Sequence, residues 1–210
     1  MINREKISSF VGIVLIILLF VASSYFAQWY VDELGFGFRG DFIGMLIYVL
    51  VSVASIVVAP VSVMPLMPLA STLWGWQVAG VLSIIGWVIG AVIAFVLARR
   101  YGVPLVSKLL PMKAIYKFEK KIPDENLFWT VVFFRMVIPV DGLSYFLGLF
   151  SKMTLRSYTL ATLIGITPFA FVFAYVGTID FYFQMLFMSL ALIVFLVGLL
   201  VAWKRGKKVK

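Results

Sequence analysis

Two long apolar stretches of this chain are interrupted near their middle by proline, and this limits the folds open to it. The stretches cover residues 42–75 and 126–150. The interrupting residues are Pro60, Pro65 and Pro68 in the first stretch and Pro139 in the second. Proline removes a backbone donor and disfavours helix at the residue before it, so neither stretch can be one continuous helix. Each is predicted to be two short helices joined by a break.

The composition indicates that these breaks lie in a membrane. Of 210 residues, 63% are hydrophobic and only 13% are charged, which no soluble domain of this size needs. Unpaired backbone groups are costly in lipid, so a break must face protein or a water-filled cavity. We interpret both stretches as re-entrant helical hairpins, with Gly75 and Gly148 as further turn residues. A solvated loop is the alternative for residues 126–150, but its flanks are short and apolar.

Four other segments are predicted to cross the membrane: 8–30, 76–98, 157–176 and 181–203. The first ends at Trp29 and Tyr30, a typical interfacial anchor, although a cleaved signal peptide is the alternative. The fold class is therefore an all-α multi-pass membrane protein, with about four transmembrane helices and two inverted re-entrant hairpins. We expect one membrane domain over residues 1–210.

The charge distribution predicts the topology. Basic residues cluster at the N-terminus and in the segments 99–121, 152–156 and 204–210, whereas the acidic loops are 32–41 and the turn at Asp180. The positive-inside rule then favours cytoplasmic N- and C-termini in a cell membrane, with four spans and both hairpins. Residues 104–123 are predicted to form a basic amphipathic helix in the head-group plane, or else a solvated loop helix. The layout is an inverted repeat, an architecture that many transporters share.

Small residues spaced by four predict close helix packing in two of the spans. They are Gly86, Gly90, Ala94 and Ala98 in the first span, and Ser157, Ala161 and Gly165 in the second. We expect the first ridge to face another helix, for which the second ridge is one candidate. Chance in a Gly/Ala-rich helix is the alternative.

Arg135 and Asp141 flank Pro139 inside an apolar stretch. Ionisable groups at membrane depth cost roughly 2.5–3.5 kcal/mol each on insertion scales, so they indicate function by default. Residues 140–142 are predicted to be a turn, which would bring the two side chains together, facing the protein interior or a polar cavity between the hairpins. A purely structural pair that locks the hairpin is the alternative.

The order of several short motifs resembles the DedA/VTT superfamily, also called the SNARE-associated Golgi protein family. The motifs are residues 95–102 with Arg99 and Arg100, Phe134 and Arg135 leading to Pro139, residues 145–148, and Gly165 with Pro168 and Gly177. The resemblance covers roughly residues 40–180. It implies two inverted re-entrant hairpins and a role in moving lipids across bilayers, whether phospholipids or polyprenyl-phosphate carriers.

The resemblance also implies site residues. Arg135 matches the arginine of the second hairpin and Pro139 the proline after it, while Asp141 lies where other members carry a polar or charged residue. The substrate-binding candidates are Arg135, Asp141, Pro139, Arg99, Tyr145 and Gly142. This chain departs from the DedA branch because its first hairpin, residues 60–74, contains no acidic residue. Proton coupling through a pair of carboxylates is therefore in doubt.

Three functions compete at this point. A lipid transporter or scramblase would use Arg135 to hold a phosphate. A small-solute or ion transporter on the same scaffold is the alternative. An intramembrane enzyme is disfavoured because the chain has no His, no Cys and no Gly-x-Ser-x-Gly motif. We expect no catalytic residue, no metal and no cofactor. Anionic membrane lipids are the expected partners, with no nucleic acid, and a homo-oligomer is left open.

Overall fold

The computed structural model describes residues 15, 17–27, 29, 42–58, 63–109, 126–137, 141–180, 182–186 and 189. All regular secondary structure within these ranges is helical. The helices are α1 (Ile17–Ala27), α2 (Phe42–Val58), α3 (Met67–Trp74), α4 (Trp76–Leu109), α5 (Leu127–Val137), α6 (Asp141–Phe150) and α7 (Leu155–Val176). The predicted span 181–203 and the basic segment beyond residue 109 lie largely outside the described residues, whereas α1 covers part of the predicted span 8–30.

Both proline-interrupted stretches are divided into two helices. In the first, α2 ends at Val58, and a 3₁₀ turn over Met64–Leu66 leads into α3. Pro65 and Pro68 each lie at the start of their helix. A backbone N–H at that position has no acceptor within the helix, so proline costs no hydrogen bond there. In the second, α5 ends at Val137 and α6 begins at Asp141. Pro60 and Pro139 are themselves outside the described residues.

The start of α6 corrects one detail of the sequence interpretation. Asp141 and Gly142 are the first two helical residues rather than part of a turn over 140–142. An acidic residue is favourable in the first turn of a helix, because the helix dipole places partial positive charge there. The helix therefore begins earlier than the Asp-Gly turn signal indicated.

The two glycines expected at turns behave differently. Gly75 separates α3 from α4 with φ 83° and ψ 151°, so it is a turn residue. Gly148 instead lies buried within α6, which corrects the prediction. A Cβ there would overlap the carbonyl oxygen of Phe95 and lie 2.7 Å from the Cβ of Ala98. Gly148 is needed for close packing of α6 on α4, and not for a turn.

The helix α4 is longer than the predicted span 76–98. It continues through Arg99 and Arg100, and its regular geometry is interrupted only at Gly102, with φ 65° and ψ −155°. Only glycine adopts such a conformation without strain, so the helix axis breaks there. A further helical segment containing Pro104 follows to Leu109. The basic pair is therefore part of the helix and does not end it.

Helix α4 lies at the centre of the described fold and contacts α2, α3, α6 and α7. One apolar cluster joins the second half of α4 to α5, α6 and the start of α7. Another joins α1, α2 and α3 to the beginning of α4 and the end of α7. The two long helices, α4 and α7, therefore each contribute one end to the first cluster and the other end to the second.

The described helices are compatible with a bilayer. Trp76–Ser107 and Leu155–Val176 are long and apolar enough to cross it. Large apolar side chains also point outward from the shorter helices, as shown by Phe42, Trp129 and Phe133, which are 75%, 56% and 63% exposed. Such a surface suits lipid rather than water.

The two glycines of the small-residue ridge of α4 pack against α2. A Cβ on Gly86 would lie 2.6 Å from the Cβ of Ser52, and one on Gly90 would lie 3.0 Å from the Cβ of Ile56. The partner is therefore α2 and not the ridge of α7 that contains Ala161 and Gly165. Further along α4, Ala94 is fully buried in the same cluster as Ala161.

Candidate functional site

Arg135 lies in the last turn of α5 and is only 3% exposed. Its Nη2 donates hydrogen bonds to Ser144 Oγ at 3.0 Å and to Tyr158 Oη at 2.5 Å. Its Cζ is also 5.5 Å from the centroid of the Tyr158 ring. The guanidinium therefore joins three helices, because Ser144 belongs to α6 and Tyr158 to α7. A cation so fully buried is held in place by its surroundings.

A glycine on α7 makes this burial sterically feasible. A Cβ on Gly165 would overlap the Cβ of Arg135 and lie 2.8 Å from the carbonyl oxygen of Val132. The absence of a side chain at Gly165 allows α5 to approach α7 at the position of the arginine. The Arg135 side chain then extends from Gly165 at one end to Tyr158, about two helical turns away, at the other.

Tyr158 connects Arg135 to the central helix. Its hydroxyl donates to the Ala91 carbonyl oxygen at 3.2 Å, and its ring stacks on Phe95 with centroids 4.1 Å apart and an interplanar angle of 18°. On the other side of Phe95, the Cζ of Arg99 lies 4.4 Å from the ring centroid. We call the series Arg135, Tyr158, Phe95 and Arg99 the arginine–aromatic stack. Cation–π contacts occur at both of its ends.

Arg99 itself holds the connection between α6 and α7. Its Nη1 donates to the Met153 carbonyl oxygen at 2.7 Å, and its Nη2 donates to the Ser151 carbonyl oxygen at 2.6 Å. The carbonyls near a helix C-terminus have no intrahelical partner, and a cation there satisfies them. The structure therefore places Arg99 at the opposite end of the stack from Arg135, and not beside it.

Tyr145 brings the two helix breaks together. Its side chain is buried in α6, and its hydroxyl donates to the carbonyl oxygen of Val57, next to the last residue of α2. The Val57 carbonyl cannot bond within α2 because the helix ends immediately afterwards. The C-terminal end of α2, at the first break, therefore contacts the helix that follows the second break.

The remaining predicted site residues are less informative. Gly142 is half-buried in the first turn of α6. Pro139 and the side chain of Asp141 lie outside the described part of the structure, so the Arg135–Asp141 pair stays a prediction.

Ser144 and Tyr158 were not predicted from the sequence as site residues. A serine and a tyrosine within apolar helices carry no spacing signal, so only the fold reveals that they meet Arg135.

The packing around the two breaks is similar in both halves. A Cβ on Gly90 would meet Ile56 Cβ and the Val53 carbonyl oxygen, whereas one on Gly165 would meet Arg135 Cβ and the Val132 carbonyl oxygen. Ile56 lies four residues before Pro60, and Arg135 lies four residues before Pro139. Ile56 is therefore the counterpart of Arg135, and the charged side chain is present in one half only.

Hydroxyl groups are also buried along α2, α3, α4 and α7. In the first half, Tyr48 Oη and Ser83 Oγ are hydrogen bonded at 2.7 Å, and Ser52 Oγ donates to the Tyr48 carbonyl oxygen at 2.8 Å. Two buried hydroxyls, Ser71 Oγ and Thr162 Oγ1, have no hydrogen-bond partner in the structure where it is described.

These features define a helical membrane protein in which a buried cation lies beside interrupted helices. The model of the VTT domain family matches residues 59–179, which is more than half of the chain and contains both breaks and the arginine–aromatic stack. The chain belongs to this family, the DedA/SNARE-associated Golgi protein family. Membership indicates a transporter-like role in a membrane. No curated protein and no solved structure matches the chain.

Proposed function

We propose that this protein is a lipid transporter or scramblase that moves a phosphate-bearing lipid between leaflets. The observation that carries the proposal is the burial of Arg135 at the end of an interrupted, membrane-embedded helix. A planar guanidinium forms paired hydrogen bonds with phosphate oxygens, which a phospholipid or a polyprenyl-phosphate carrier would supply. Asp141 would neutralise Arg135 when the site is empty, or titrate during transport.

The hydrogen bonds of Arg135 within the protein could be exchanged for hydrogen bonds to a phosphate. Ser144 and Tyr158 each accept a hydrogen bond from Arg135 through a neutral hydroxyl. A phosphate offers stronger, charge-assisted bonds to the same donors. Because Arg135 is closed off in this conformation, binding requires the helices around it to separate. Tyr145, which links the two breaks, is a contact that such a movement would break.

The similar packing of the two halves supports an inverted-repeat transporter. The proposed layout has four spans and two re-entrant hairpins, with both termini in the cytoplasm and the protein in the cell membrane. In such transporters the substrate site lies where interrupted helices meet, near the bilayer midplane. The proposal includes no enzymatic step, no cofactor and no nucleic acid, and a homo-oligomer remains open.

Cysteine labelling tests this topology. Cysteines introduced as Lys117→Cys and Lys207→Cys are expected to react with a membrane-impermeant reagent only from the cytoplasmic side. Those introduced as Glu33→Cys and Asp180→Cys are expected to react only from outside, since loops rich in Lys and Arg are retained in the cytoplasm and these two loops are poor in both. Labelling of positions 117 and 207 from opposite sides of the membrane would contradict the layout with two hairpins.

Reconstitution tests the function. Vesicles that contain the purified protein are expected to move fluorescent phospholipid or polyprenyl phosphate between leaflets faster than protein-free vesicles. The same vesicles are expected to retain a trapped small solute, because a lipid pathway opens sideways between helices and not across the membrane. Solute release without lipid movement would favour the alternative, a solute or ion transporter, and would contradict the proposal.

A further inference from the structure

We infer that Thr162 is a substrate-binding residue, whose hydroxyl donates to the phosphate that Arg135 attracts. The inference rests on the proposed function and adds a second, uncharged donor to the same site. Three observations carry it: the burial of the side chain, the lack of a protein partner for its hydroxyl, and its place on the helix face that Arg135 covers.

The Thr162 side chain is fully buried on α7, and its Oγ1 has no hydrogen-bond partner in the part of the chain that the structure describes. A threonine in a helix can satisfy its hydroxyl locally by bonding to the carbonyl of the preceding turn. Leaving a buried hydroxyl unsatisfied is unfavourable, so its retention in an apolar core requires another explanation. One such explanation is a ligand that supplies a hydrogen-bond acceptor to the hydroxyl.

Two other threonines of the same helix provide the contrast. Thr159 Oγ1 donates to the Leu155 carbonyl oxygen at 2.8 Å, and Thr167 Oγ1 donates to the Leu163 carbonyl oxygen at 2.6 Å. Both follow the local pattern of bonding to the preceding turn. Thr162, which is more deeply buried than either, does not.

The position of Thr162 on α7 places it beside Arg135. Tyr158 and Gly165 both contact the arginine, Tyr158 at the guanidinium and Gly165 at the Cβ. Thr162 lies four residues after Tyr158 and three before Gly165, and residues at these spacings share one helix face. The Arg135 side chain therefore runs along the face that carries Thr162.

The expected ligand is an anionic phosphate group. Phosphate oxygens accept hydrogen bonds from hydroxyls and from guanidinium together, and Ser144 already places a hydroxyl within hydrogen-bond distance of the Arg135 guanidinium. The three side chains come from α5, α6 and α7, so a bound phosphate would be enclosed by different helices.

The experiment compares thermal stabilisation of the detergent-purified protein by short-chain phosphatidic acid and by diacylglycerol of the same chain length. Thr162→Val keeps the shape but removes the hydroxyl, and it is expected to weaken the response to phosphatidic acid about tenfold. Without ligand, the variant should melt at or above the wild-type temperature, because an unsatisfied buried hydroxyl has been removed. Thr162→Ser should retain the response, and Thr167→Val is the matched control that should leave it unchanged.

The possible outcomes separate this inference from the function on which it rests. Unchanged phosphatidic acid binding by Thr162→Val, with a normal response of the wild type, would overturn the inference alone. Failure of Thr162→Val to fold, while Thr162→Ser folds normally, would also overturn it, since the hydroxyl would then be structural. A wild-type protein that does not distinguish phosphatidic acid from diacylglycerol would overturn the proposed function as well.

Discussion

Arg135→Ala is expected to reduce lipid flux to the level of protein-free vesicles and to lower the folded yield. The substitution removes the charge that would bind the phosphate and both hydrogen bonds from Nη2. It also leaves Asp141 without the partner that the sequence predicts, and loss of one member of a buried ion pair typically costs about 3–5 kcal/mol. The measurements are monodisperse yield in detergent and flux after reconstitution.

Arg135→Lys separates charge from geometry. Lysine keeps the positive charge but not the planar fork, so it cannot form the paired contacts of a guanidinium. We expect a folded protein whose flux falls about tenfold or more, which corresponds to the loss of one charge-assisted hydrogen bond. Arg100→Ala is a suitable control, because Arg100 is exposed on α4. Its flux should remain at the wild-type level.

The double variant Arg135→Ala with Asp141→Ala tests whether the pair is only structural. Removing both charges leaves no unpaired ion, so this variant should fold better than either single change. It should still fail to move lipid, because the phosphate-binding group is absent. Full flux in the double variant would eliminate the functional role of Arg135.

Gly165→Ala is expected to destabilise the protein by about 2 kcal/mol or more, although alanine is normally the better helix former by about 1 kcal/mol. The added methyl would overlap the Cβ of Arg135 and lie 2.8 Å from the carbonyl oxygen of Val132. Neither atom can rotate away, so α5 must shift as a whole. The loss should appear as a lower melting temperature in detergent, together with reduced flux, because the shift displaces Arg135.

A substitution on the outer face of α7 provides the control for Gly165→Ala. Ile164 is 44% exposed, so Ile164→Phe adds volume without meeting another helix. We expect a melting temperature close to that of the wild type. A similar loss in both variants would contradict a specific contact between α5 and α7.

Much of the architecture could be predicted from sequence because the relevant signals are local. Pro65 and Pro68 forbid a continuous helix wherever they occur, and apolar length alone identifies α4 and α7 as spans. The membrane class followed from composition, whereas the family was indicated by a resemblance in the order of several short motifs, such as residues 95–102. Helix ends were less accurate, since Asp141 and Gly142 suit both a turn and the start of a helix.

The contacts of the site could be predicted only in part, because they depend on which helices meet. Arg135 was identifiable since a charge in an apolar stretch is rare. Its partners Ser144 and Tyr158 lie on two other helices, 9 and 23 residues further along the chain, and have no periodic pattern. The small-residue ridges predicted that Gly86 and Gly90 face another helix, which the structure shows, but the sequence could not identify α2 as that helix.

The difference between Ile56 and Arg135 has an energetic consequence. In an inverted repeat with identical halves, exchanging the conformations of the halves regenerates the same structure with the opposite face open. The two states would then have equal free energy. In the proposed inverted repeat, an isoleucine in one half and an arginine in the other would remove that degeneracy, so we expect this difference to bias the resting population toward one orientation.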